Sequence, residues 1–293
     1  MHLTARSLLP ALPALLVIAV TTACAPQDTS TGADASASGS AASSCDPGAL
    51  PTEAKGKLTV GTDKPAYAPW FQDDDPASGK GFESAVTYAV AKALGYGKDH
   101  VVWQTVPFNN SFAPGEKNFD FDINQISISD EREKAVDFSS GYYDVRQAVI
   151  ALKDSPYAKA TTAAELKGAK LGAQVGTTSL DTINQVIKPT SQPAVYQKND
   201  FAKSALRNGQ VDAIVVDLPT AFYITSAEVP DAKVVGQFAE SAGTAERFGL
   251  VLDKGSALTS CVSKAVDGLR ADGTLAALEK RWLADAVDAP VLK

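Results

Sequence analysis

Three short segments of the chain place polar side chains directly after predicted strands, where they could bind a charged small molecule. In ISISDERE, residues 126–133, Ser127 lies with Gln125 near the end of a strand, and Ser129 suits the N-cap of a following helix. Arg132 falls in the first turn of that helix, where its planar guanidinium could hold a carboxylate through two parallel hydrogen bonds, assisted by Ser127. For this segment alone, a surface ion pair between Arg132 and a nearby acidic residue is the other interpretation.

The second segment, AQVGTTSLD at residues 173–181, sets a glycine and two hydroxyl residues directly before a predicted helix. Backbone N–H groups after Gly176 and the hydroxyls of Thr177 and Thr178 would converge there on an anion. An ordinary helix cap is the other interpretation. The segment therefore contributes a set of hydrogen-bond donors.

The third segment, VDAIVVDLP at residues 211–219, ends an almost wholly apolar strand with the carboxylate of Asp217. A carboxylate in such surroundings is costly unless it meets a cation. The other interpretation is that Asp217 caps the helix that begins at Pro219, a residue favoured in a first helical turn. If the Asp217 carboxylate instead meets a cation, the segment supplies an acceptor for a positively charged group.

Together, the three segments offer a cationic fork, hydroxyl and amide donors, and a single carboxylate. A molecule with one carboxylate and one ammonium group would satisfy all of them. An α-amino acid is the simplest such molecule.

Predicted strands and helices alternate along the chain, which indicates parallel sheets covered by helices. In such sheets, ligands bind beyond the carboxyl ends of the strands, where the three segments lie. The predicted strands are KLTVGT (57–62), VVWQTV (101–106), FDFDINQISI (119–128), QAVIAL (147–152), AKLGAQ (169–174), VDAIVV (211–216) and RFGLVL (247–252).

The composition of the 293-residue chain excludes several classes of function. With 45% hydrophobic residues the chain is not disordered, and its 34 acidic and 27 basic residues give a net charge of −7, so no nucleic-acid partner is expected. His2 and His100 are too few and too far apart in sequence to suggest a histidine metal cluster or a Ser/His/Asp triad. No Gly-x-x-x-x-Gly-Lys loop occurs. We predict no metal, no cofactor and no enzyme activity.

The first 23 residues have the layout of a secretory signal peptide, with an apolar run of about 13 residues, too short for a permanent membrane span. The run leads to Ala23 and Cys24, which resembles the lipobox of bacterial lipoproteins, with Thr21 where that motif usually has leucine. We predict a lipid anchor on Cys24 and a flexible tether over residues 24–44, which are small and polar. Ordinary secretion without a lipid is the alternative.

If Cys24 carries a lipid, Cys45 and Cys261 remain as a pair in an oxidising compartment. We predict that they form one disulfide, which would pin the start of the folded body to a helix near its end. Two buried free thiols are the alternative.

Several further motifs occur in a fixed order, and together they resemble the bacterial extracellular solute-binding proteins of family 3, which deliver polar amino acids to ATP-driven importers. The resemblance runs from about Leu58 to Trp282. The motifs are VGTDKPAYAPW (60–70), GFES (81–84), FDFDINQISISDEREKAVDFSSGYY (119–143), ELKGAKLGAQVGTT (165–178) and ALRNGQVDAIVVDLPTAFY (205–223).

The resemblance implies an α/β, two-lobed periplasmic-binding-protein-like fold of type II. Each lobe would be a mostly parallel sheet flanked by helices, and two hinge strands would join the lobes, which close over the ligand. Lobe 1 would comprise residues 45–144 and 247–293, and lobe 2 residues 145–246, with the hinge crossings near 143–147 and 239–247. The Cys45–Cys261 disulfide would then lie within lobe 1.

The resemblance also assigns roles to the charged ends of the ligand. Arg132 and Ser127 would hold the α-carboxylate, with Thr178 and Thr177 contributing from the second lobe. Asp217 would receive the α-ammonium group.

The side chain of the ligand would contact a second set of residues. Tyr67, Trp70 and Phe108 would wall the pocket, although core packing is the commoner role of aromatic residues. Asp63 would meet a polar or cationic ligand side chain. Gln125 stands where the family usually has glycine or serine, so the choice between polar and basic amino acids stays open.

The resemblance implies an amino acid as ligand, an ABC permease and its ATPase as partners, and a monomer held at the outer face of the cytoplasmic membrane by lipid alone. Two other functions use the same scaffold. A cyclohexadienyl-dehydratase-like enzyme would need a general acid in the cleft, such as Glu83 or Glu240. A ligand-sensing module for a membrane receptor would need only a tethered binder that closes.

Overall fold

The computed structural model describes residues 45–46, 49–239, 245–284 and 289–293. The predicted signal peptide (1–23), the tether (24–44) with Cys24, and Glu240 lie outside these residues.

Strands and helices alternate in the described residues as predicted. The strands are β1 (Leu58–Thr62), β2 (Val101–Thr105), β3 (Phe121–Asp122), β4 (Val136–Phe138), β5 (Tyr143–Val145), β6 (Gln147–Leu152), β7 (Leu171–Gln174), β8 (Ala194–Tyr196), β9 (Ala213–Asp217), β10 (Ala232–Phe238), β11 (Glu246–Phe248), β12 (Val251–Asp253) and β13 (Val291–Leu292). The α-helices are α1 (Phe82–Ala93), α2 (Phe108–Ser111), α3 (Asp130–Glu133), α4 (Thr178–Thr182), α5 (Asn199–Arg207), α6 (Leu218–Tyr223), α7 (Thr259–Ala271) and α8 (Thr274–Trp282).

Short helical segments complete the secondary structure of the described residues. Helices α4 and α6 continue directly as π-helical turns, and the remaining short segments are 3₁₀ turns. The π turns are Ile183–Ile187 and Ile224–Glu228, and the 3₁₀ turns are Pro76–Ser78, Lys98–His100, Pro156–Lys159 and Ala163–Leu166.

The strands form two main sheets, one in each lobe. The first has the order β2-β1-β3-β12-β4 and the second the order β13-β10-β6-β9-β7-β8. Both sheets are mostly parallel, as predicted, and each contains one antiparallel strand: β12 runs antiparallel to β3 and β4, and β6 runs antiparallel to β9 and β10. These antiparallel strands enter their sheets directly from a crossing between the lobes, so they need no helical crossover that would make them parallel.

A separate two-stranded antiparallel sheet, β5 with β11, lies where the chain passes between the lobes, and Glu246 pairs there with Val145. The segment 247–252, predicted as one strand, is divided between β11 and β12. The break falls at Gly249, where a Cβ atom would lie 2.8 Å from the Ile128 side chain. A glycine is therefore needed for the backbone to pack this closely against the Ile128 side chain.

The C-terminal residues correct the predicted division of the chain, which assigned all of 247–293 to lobe 1. Val291 and Leu292 pair in parallel with Gln237 and Phe238 of β10, so the chain ends in the second sheet. Leu292 is buried there and packs into that lobe's apolar core.

The cores explain why the strands are so apolar. In lobe 1, Val60 of β1 and Phe121 of β3 pack against α1 and α7. In lobe 2, the second sheet is covered on both faces, with Ile214 and Val215 of β9 pointing into opposite clusters. A strand buried on both faces is expected to be a continuous apolar run, as VDAIVV is.

The predicted disulfide is confirmed, since Cys45 is bonded to Cys261 in α7 with their Cα atoms 5.5 Å apart. The two cysteines are separated by 216 residues in sequence. The bond therefore ties the start of the described body to the last part of lobe 1.

Candidate functional site

A small, partly open cavity of about 30 Å³ lies between the two lobes, at the carboxyl ends of strands from both sheets. Both lobes contribute side chains to its wall, and all of them except Phe108 are polar. From lobe 1 these are Asp63, Tyr67, Phe108, Asn124, Gln125 and Arg132, and from lobe 2 they are Gln174, Thr177, Thr178, Ser179, Asn199 and Asp217.

Arg132 is buried at this cavity, so the alternative of a surface ion pair does not apply. Ser129 caps α3 as predicted, since its hydroxyl accepts a bond from the Arg132 N–H at 3.3 Å. The guanidinium donates to the Ser127 carbonyl at 2.6 Å and, across the cleft, to the Gly176 carbonyl at 2.8 Å. It also lies 4.4 Å from the centre of the Phe112 ring. These contacts fix the orientation of the guanidinium plane beside the cavity.

The two threonines before α4 have different positions. The Thr177 hydroxyl caps α4, accepting from the Leu180 N–H at 3.2 Å, and donates to the Gln174 carbonyl at 2.8 Å. The Thr178 hydroxyl lies across the lobe interface, 3.4 Å from Ser127 Oγ. At Gly176 the φ angle is +74°, and a Cβ atom would lie 2.2 Å from Asn109 Oδ1 of lobe 1. Glycine is therefore required for this close approach of the lobes.

Asp217 ends β9 and is the N-cap residue of α6, but its side chain makes no capping hydrogen bond there. Its Oδ1 instead accepts a bond from Gln147 Nε2 at 2.8 Å. Burial, and next the negative charge of Glu246, raises the pKa of Asp217 to about 8. Such an environment favours the neutral acid unless a cation comes close.

Glu246 is a member of the site that the sequence did not single out. Ser127 Oγ donates to Glu246 Oε1 at 2.5 Å, and Gln147 Nε2 lies 3.2 Å from Glu246 Oε2. Gln147 is oriented by Ser179, whose hydroxyl donates to Gln147 Oε1 at 2.6 Å. The only available signal was the position of Glu246 in a predicted hinge crossing.

Asp63 and Tyr67 line the part of the cavity farther along the first lobe. The Asp63 side chain is 13% exposed, and Lys198 of lobe 2 places its Nζ 3.9 Å from Asp63 Oδ1. Lys198 also donates to the Lys64 carbonyl, so it holds its position across the cleft. The ring of Tyr67 lies 5.2 Å from Lys203 Nζ.

The predicted aromatic wall is only partly present. Phe108 and Tyr67 line the cavity, but Trp70 is fully buried in the core of lobe 1, with its ring 5.5 Å from that of Tyr143. Trp70 Nε1 donates to the Thr220 hydroxyl of lobe 2 at 2.9 Å. Its place in the structure is therefore a buried contact between the lobes and not the cavity wall.

Gln125 lines the cavity with a φ angle of +50°, unusual for a residue with a side chain. Its backbone N–H donates to Glu83 Oε1 at 2.7 Å, and its side-chain amide donates to Glu83 Oε2. Tyr142 also donates to Glu83, and burial raises the pKa of Glu83 to about 7. Glu83 is thus enclosed behind Gln125 and does not line the cavity, which leaves it badly placed to act as a general acid on a ligand.

Among the described residues, no group of three or more histidine, cysteine, aspartate or glutamate side chains is arranged to hold a metal ion. The cavity instead has the hydrogen-bonding groups expected for an organic zwitterion. Arg132 offers a cation, and Asp217 offers a carboxylate.

Comparisons with known proteins agree with this geometry. The sequence model for bacterial extracellular solute-binding proteins, family 3, matches residues 58–285. The L-cystine-binding protein TcyJ of Escherichia coli (strain K12) is 31% identical over 233 residues, covering 78% of this chain and 83% of that protein.

Solved structures show the same fold. The arginine-, lysine-, histidine-binding protein ArtJ of Geobacillus stearothermophilus superposes with a TM-score of 0.65 at 26% identity, covering 78% of this chain and 95% of that one. The ancestral amino acid-binding protein AncCDT-1, a precursor of cyclohexadienyl dehydratase, superposes with a TM-score of 0.64 at 28% identity and the same coverage. The predicted two-lobed type II fold is confirmed, and the chain belongs to the bacterial extracellular solute-binding proteins of family 3.

Proposed function

We propose that this protein binds a polar or basic α-amino acid outside the cytoplasm and delivers it to an ABC importer. The observation that carries the proposal is that Arg132 and Asp217, from different lobes, line one cavity. The guanidinium would hold the α-carboxylate, and the carboxylate of Asp217 would receive the α-ammonium group. The names of the similar proteins, which bind cystine or arginine, lysine and histidine, support this ligand class.

The binding role requires that the two lobes close on each other. Contacts between the lobes are made by the same residues that would hold the ligand, since Arg132 donates to Gly176 and Ser127 approaches Thr178. A ligand placed between them would therefore strengthen the closed form, which the importer would recognise.

We further propose a lipid anchor on Cys24, followed by the tether of residues 24–44, which would keep the binding protein at the outer face of the cytoplasmic membrane. Within the described part of the chain, no helix has the length and apolar character needed to span a membrane. Labelling cells with a radioactive fatty acid should mark the wild type and leave Cys24→Ala unlabelled. Label on both proteins would contradict the anchor.

A thermal-shift screen tests the ligand class directly. The protein without residues 1–24 would be heated with each of the twenty common amino acids and with L-cystine. A ligand at 100 times its dissociation constant stabilises the native state by about 2.7 kcal/mol, which gives a clear shift. We expect one or a few polar or basic amino acids to do so. No shift with any of them, from folded protein free of copurified ligand, would contradict the proposal.

The same protein can be tested for the enzymatic alternative. The relatives reported above are named as binding proteins, and Glu83 is enclosed behind Gln125. We therefore expect no aromatic product when prephenate or arogenate is incubated with the protein. Turnover of either compound would favour the dehydratase instead.

Affinity for the amino acid is expected to rise with pH. Because the pKa of Asp217 is raised to about 8, Asp217 binds a proton at lower pH, and the α-ammonium must displace that proton. Between pH 6 and pH 8 the dissociation constant should fall by up to about tenfold per pH unit. Calorimetry at several pH values measures this change. Because Glu83 also titrates near neutral pH, Glu83→Gln is the control, and it should keep the trend.

Lys198→Met is expected to raise the affinity for amino acids with a cationic side chain. Lys198 supplies a positive charge 3.9 Å from Asp63, so its removal frees that carboxylate for the ligand. Because the ion pair is partly exposed, the affinity for L-arginine relative to that for L-glutamine should rise by about twofold to fivefold. Titration with L-arginine and L-glutamine measures the ratio. Lys170→Met, an exposed lysine of lobe 2 away from the cavity, should leave the ratio unchanged.

A further inference from the structure

We propose that the cavity selects an α-amino acid whose side chain is neutral overall and ends in both a hydrogen-bond donor and a hydrogen-bond acceptor. Two glutamine amides carry the inference, because Gln125 of lobe 1 would present its oxygen to the ligand and Gln174 of lobe 2 its nitrogen. A carboxamide, as in glutamine and asparagine, has this chemistry, and so does the second amino-acid group of cystine. The inference rests on the amino-acid-binding function proposed above and narrows its ligand class.

The orientation of the Gln125 amide is fixed by Glu83, which lies behind it. Glu83 Oε2 accepts a hydrogen bond from the Gln125 side-chain nitrogen, and Glu83 Oε1 accepts one from the Gln125 backbone N–H at 2.7 Å. An amide oxygen only accepts hydrogen bonds, so it cannot take the place of the nitrogen beside a carboxylate. Because Gln125 also lines the cavity, its oxygen is the polar atom left for a ligand.

The Gln174 amide is fixed in the opposite sense. Gln174 Oε1 accepts a hydrogen bond from the backbone N–H of Asn199, the first residue of α5, at 2.9 Å. A backbone N–H only donates, so the amide oxygen must be the atom that faces it. Gln174 is buried and lines the cavity, and its nitrogen is therefore the donor left for a ligand.

Both amides can be assigned to the side chain of the ligand. Asn199, which holds the Gln174 amide, directly follows Lys198, and Lys198 faces Asp63 across the cleft. Gln174 is thereby tied to the Asp63 end of the cavity. Gln125 lines the same cavity, whose volume of about 30 Å³ is so small that the end of one ligand side chain would meet both amides.

The charges at the Asp63 end favour a neutral side chain. Asp63 already has a cationic partner, since Lys198 Nζ lies 3.9 Å from Asp63 Oδ1. A cationic side chain of the ligand would be repelled by Lys198, and an anionic one would be repelled by Asp63. A side chain that is neutral overall avoids both repulsions and can still bond to the two amides.

The first test compares ligands on the wild-type protein at pH 8, where Glu83 is ionised, because burial raises its pKa only to about 7. The probes are L-glutamine, L-asparagine and L-cystine, compared with L-arginine, L-glutamate and the apolar L-norleucine. At least one of the first three should bind about 10-fold to 100-fold tighter than each of the last three, which leave one or both amides without a partner. Titration calorimetry measures each Kd.

The same titrations distinguish the two sources of the side-chain group. A preference for a carboxamide gives the tightest binding with L-glutamine or L-asparagine. A preference for a second amino-acid group gives the tightest binding with L-cystine. L-cystathionine, which carries two amino-acid groups on a thioether link, should then bind as well.

Gln174→Glu tests the donor. A carboxylate at this position can still accept the hydrogen bond from the Asn199 N–H, but it presents an acceptor to the ligand in place of a donor. The affinity for L-arginine relative to that for the tightest neutral ligand should rise by at least about tenfold. Gln210→Glu makes the same change at an exposed glutamine of lobe 2 and should leave the ratio unchanged. Circular dichroism checks the fold of both variants.

Gln125→Met tests the acceptor. The variant keeps the backbone hydrogen bond to Glu83 and removes the amide oxygen. The tightest neutral polar ligand should lose about tenfold in affinity, and L-norleucine should change by less than about threefold.

Several outcomes would overturn the inference while leaving amino-acid binding intact. One is wild-type binding of L-arginine, L-glutamate or L-norleucine that is as tight as that of the neutral polar probes. Others are an unchanged ligand ratio in folded Gln174→Glu, and equal losses for both ligands in Gln125→Met. Failure of the wild type to bind any amino acid, here or in the thermal-shift screen, would instead overturn the proposed function, and this inference with it.

Discussion

Arg132→Ala should weaken amino-acid binding by about 30-fold to several thousand-fold, equivalent to about 2 to 5 kcal/mol, while the protein stays folded. The large loss is expected because Arg132 is buried beside the cavity, so an α-carboxylate held there would be left without its cation. The fold should survive because α3 is capped through the backbone N–H of residue 132 and not through its side chain. Titration calorimetry measures the affinity, and circular dichroism checks the fold.

Two further variants make the Arg132 result specific. Arg132→Lys keeps the charge but loses the planar fork, so its affinity should fall between those of the wild type and the alanine variant. Arg281→Ala removes an exposed arginine at the end of α8 and should bind normally. Unchanged affinity in folded Arg132→Ala would remove Arg132 from the binding site.

Asp217→Asn should abolish measurable amino-acid binding and, at the same time, make the ligand-free protein more stable. Binding is lost because an amide cannot neutralise the α-ammonium group. Stability rises because the native state raises the pKa of Asp217 to about 8, so folding at neutral pH requires this carboxyl to take up a proton. Asparagine avoids this cost, and its carbonyl can still accept the bond from Gln147 Nε2.

The sign of the pH effect follows from the two protonation states. Between about pH 4 and pH 8, the unfolded chain has an ionised aspartate and the native state a neutral one, so wild-type stability falls as the pH rises. The gain in unfolding free energy of Asp217→Asn over the wild type should therefore grow over this range. At pH 7 it should exceed about 1 kcal/mol and raise Tm by at least about 2 °C. Thermal unfolding at pH 5 and pH 8 measures it. A lower Tm for the variant at both pH values would contradict the assignment.

The lobes also meet through contacts made by residues that do not line the cavity. Trp70 Nε1 donates to Thr220, and Lys198 donates to the carbonyl of Lys64. The first of these bonds is buried and the second is exposed. The stability of the closed form therefore also depends on contacts between the lobes outside the cavity wall.

Part of the candidate site was predictable because its residues stand at strand ends. Arg132, Thr178 and Asp217 each lie one or a few residues beyond a segment whose apolar pattern marks a strand. The carboxyl ends of parallel strands gather at one edge of a sheet, which brings Thr178 and Asp217 together in lobe 2. Arg132 lies at the first sheet and meets them through the two-lobed fold that the family resemblance implied. The structure places all three at the cavity.

Other members of the site carry no local signal. Glu246 meets Ser127 across 119 residues and Gln147 across 99, because the two crossing strands β5 and β11 pair side by side. Lys198 meets the first lobe across 134 residues. Each is an ordinary polar residue in its own segment, and only the pairing of distant strands gives it a partner.

The sequence by itself determined the alternation of strands and helices, the family, the disulfide between Cys45 and Cys261, and the charged groups at the strand ends. Apolar periodicity, cysteine pairing and residue type at a strand end are local properties of the chain. Only the packed structure shows that each sheet takes in one antiparallel strand, that Trp70 joins the lobes instead of lining the cavity, and that Glu246 contacts Ser127. These features depend on how the two lobes pack and where the chain crosses between them. The residues that make such contacts are far apart in sequence.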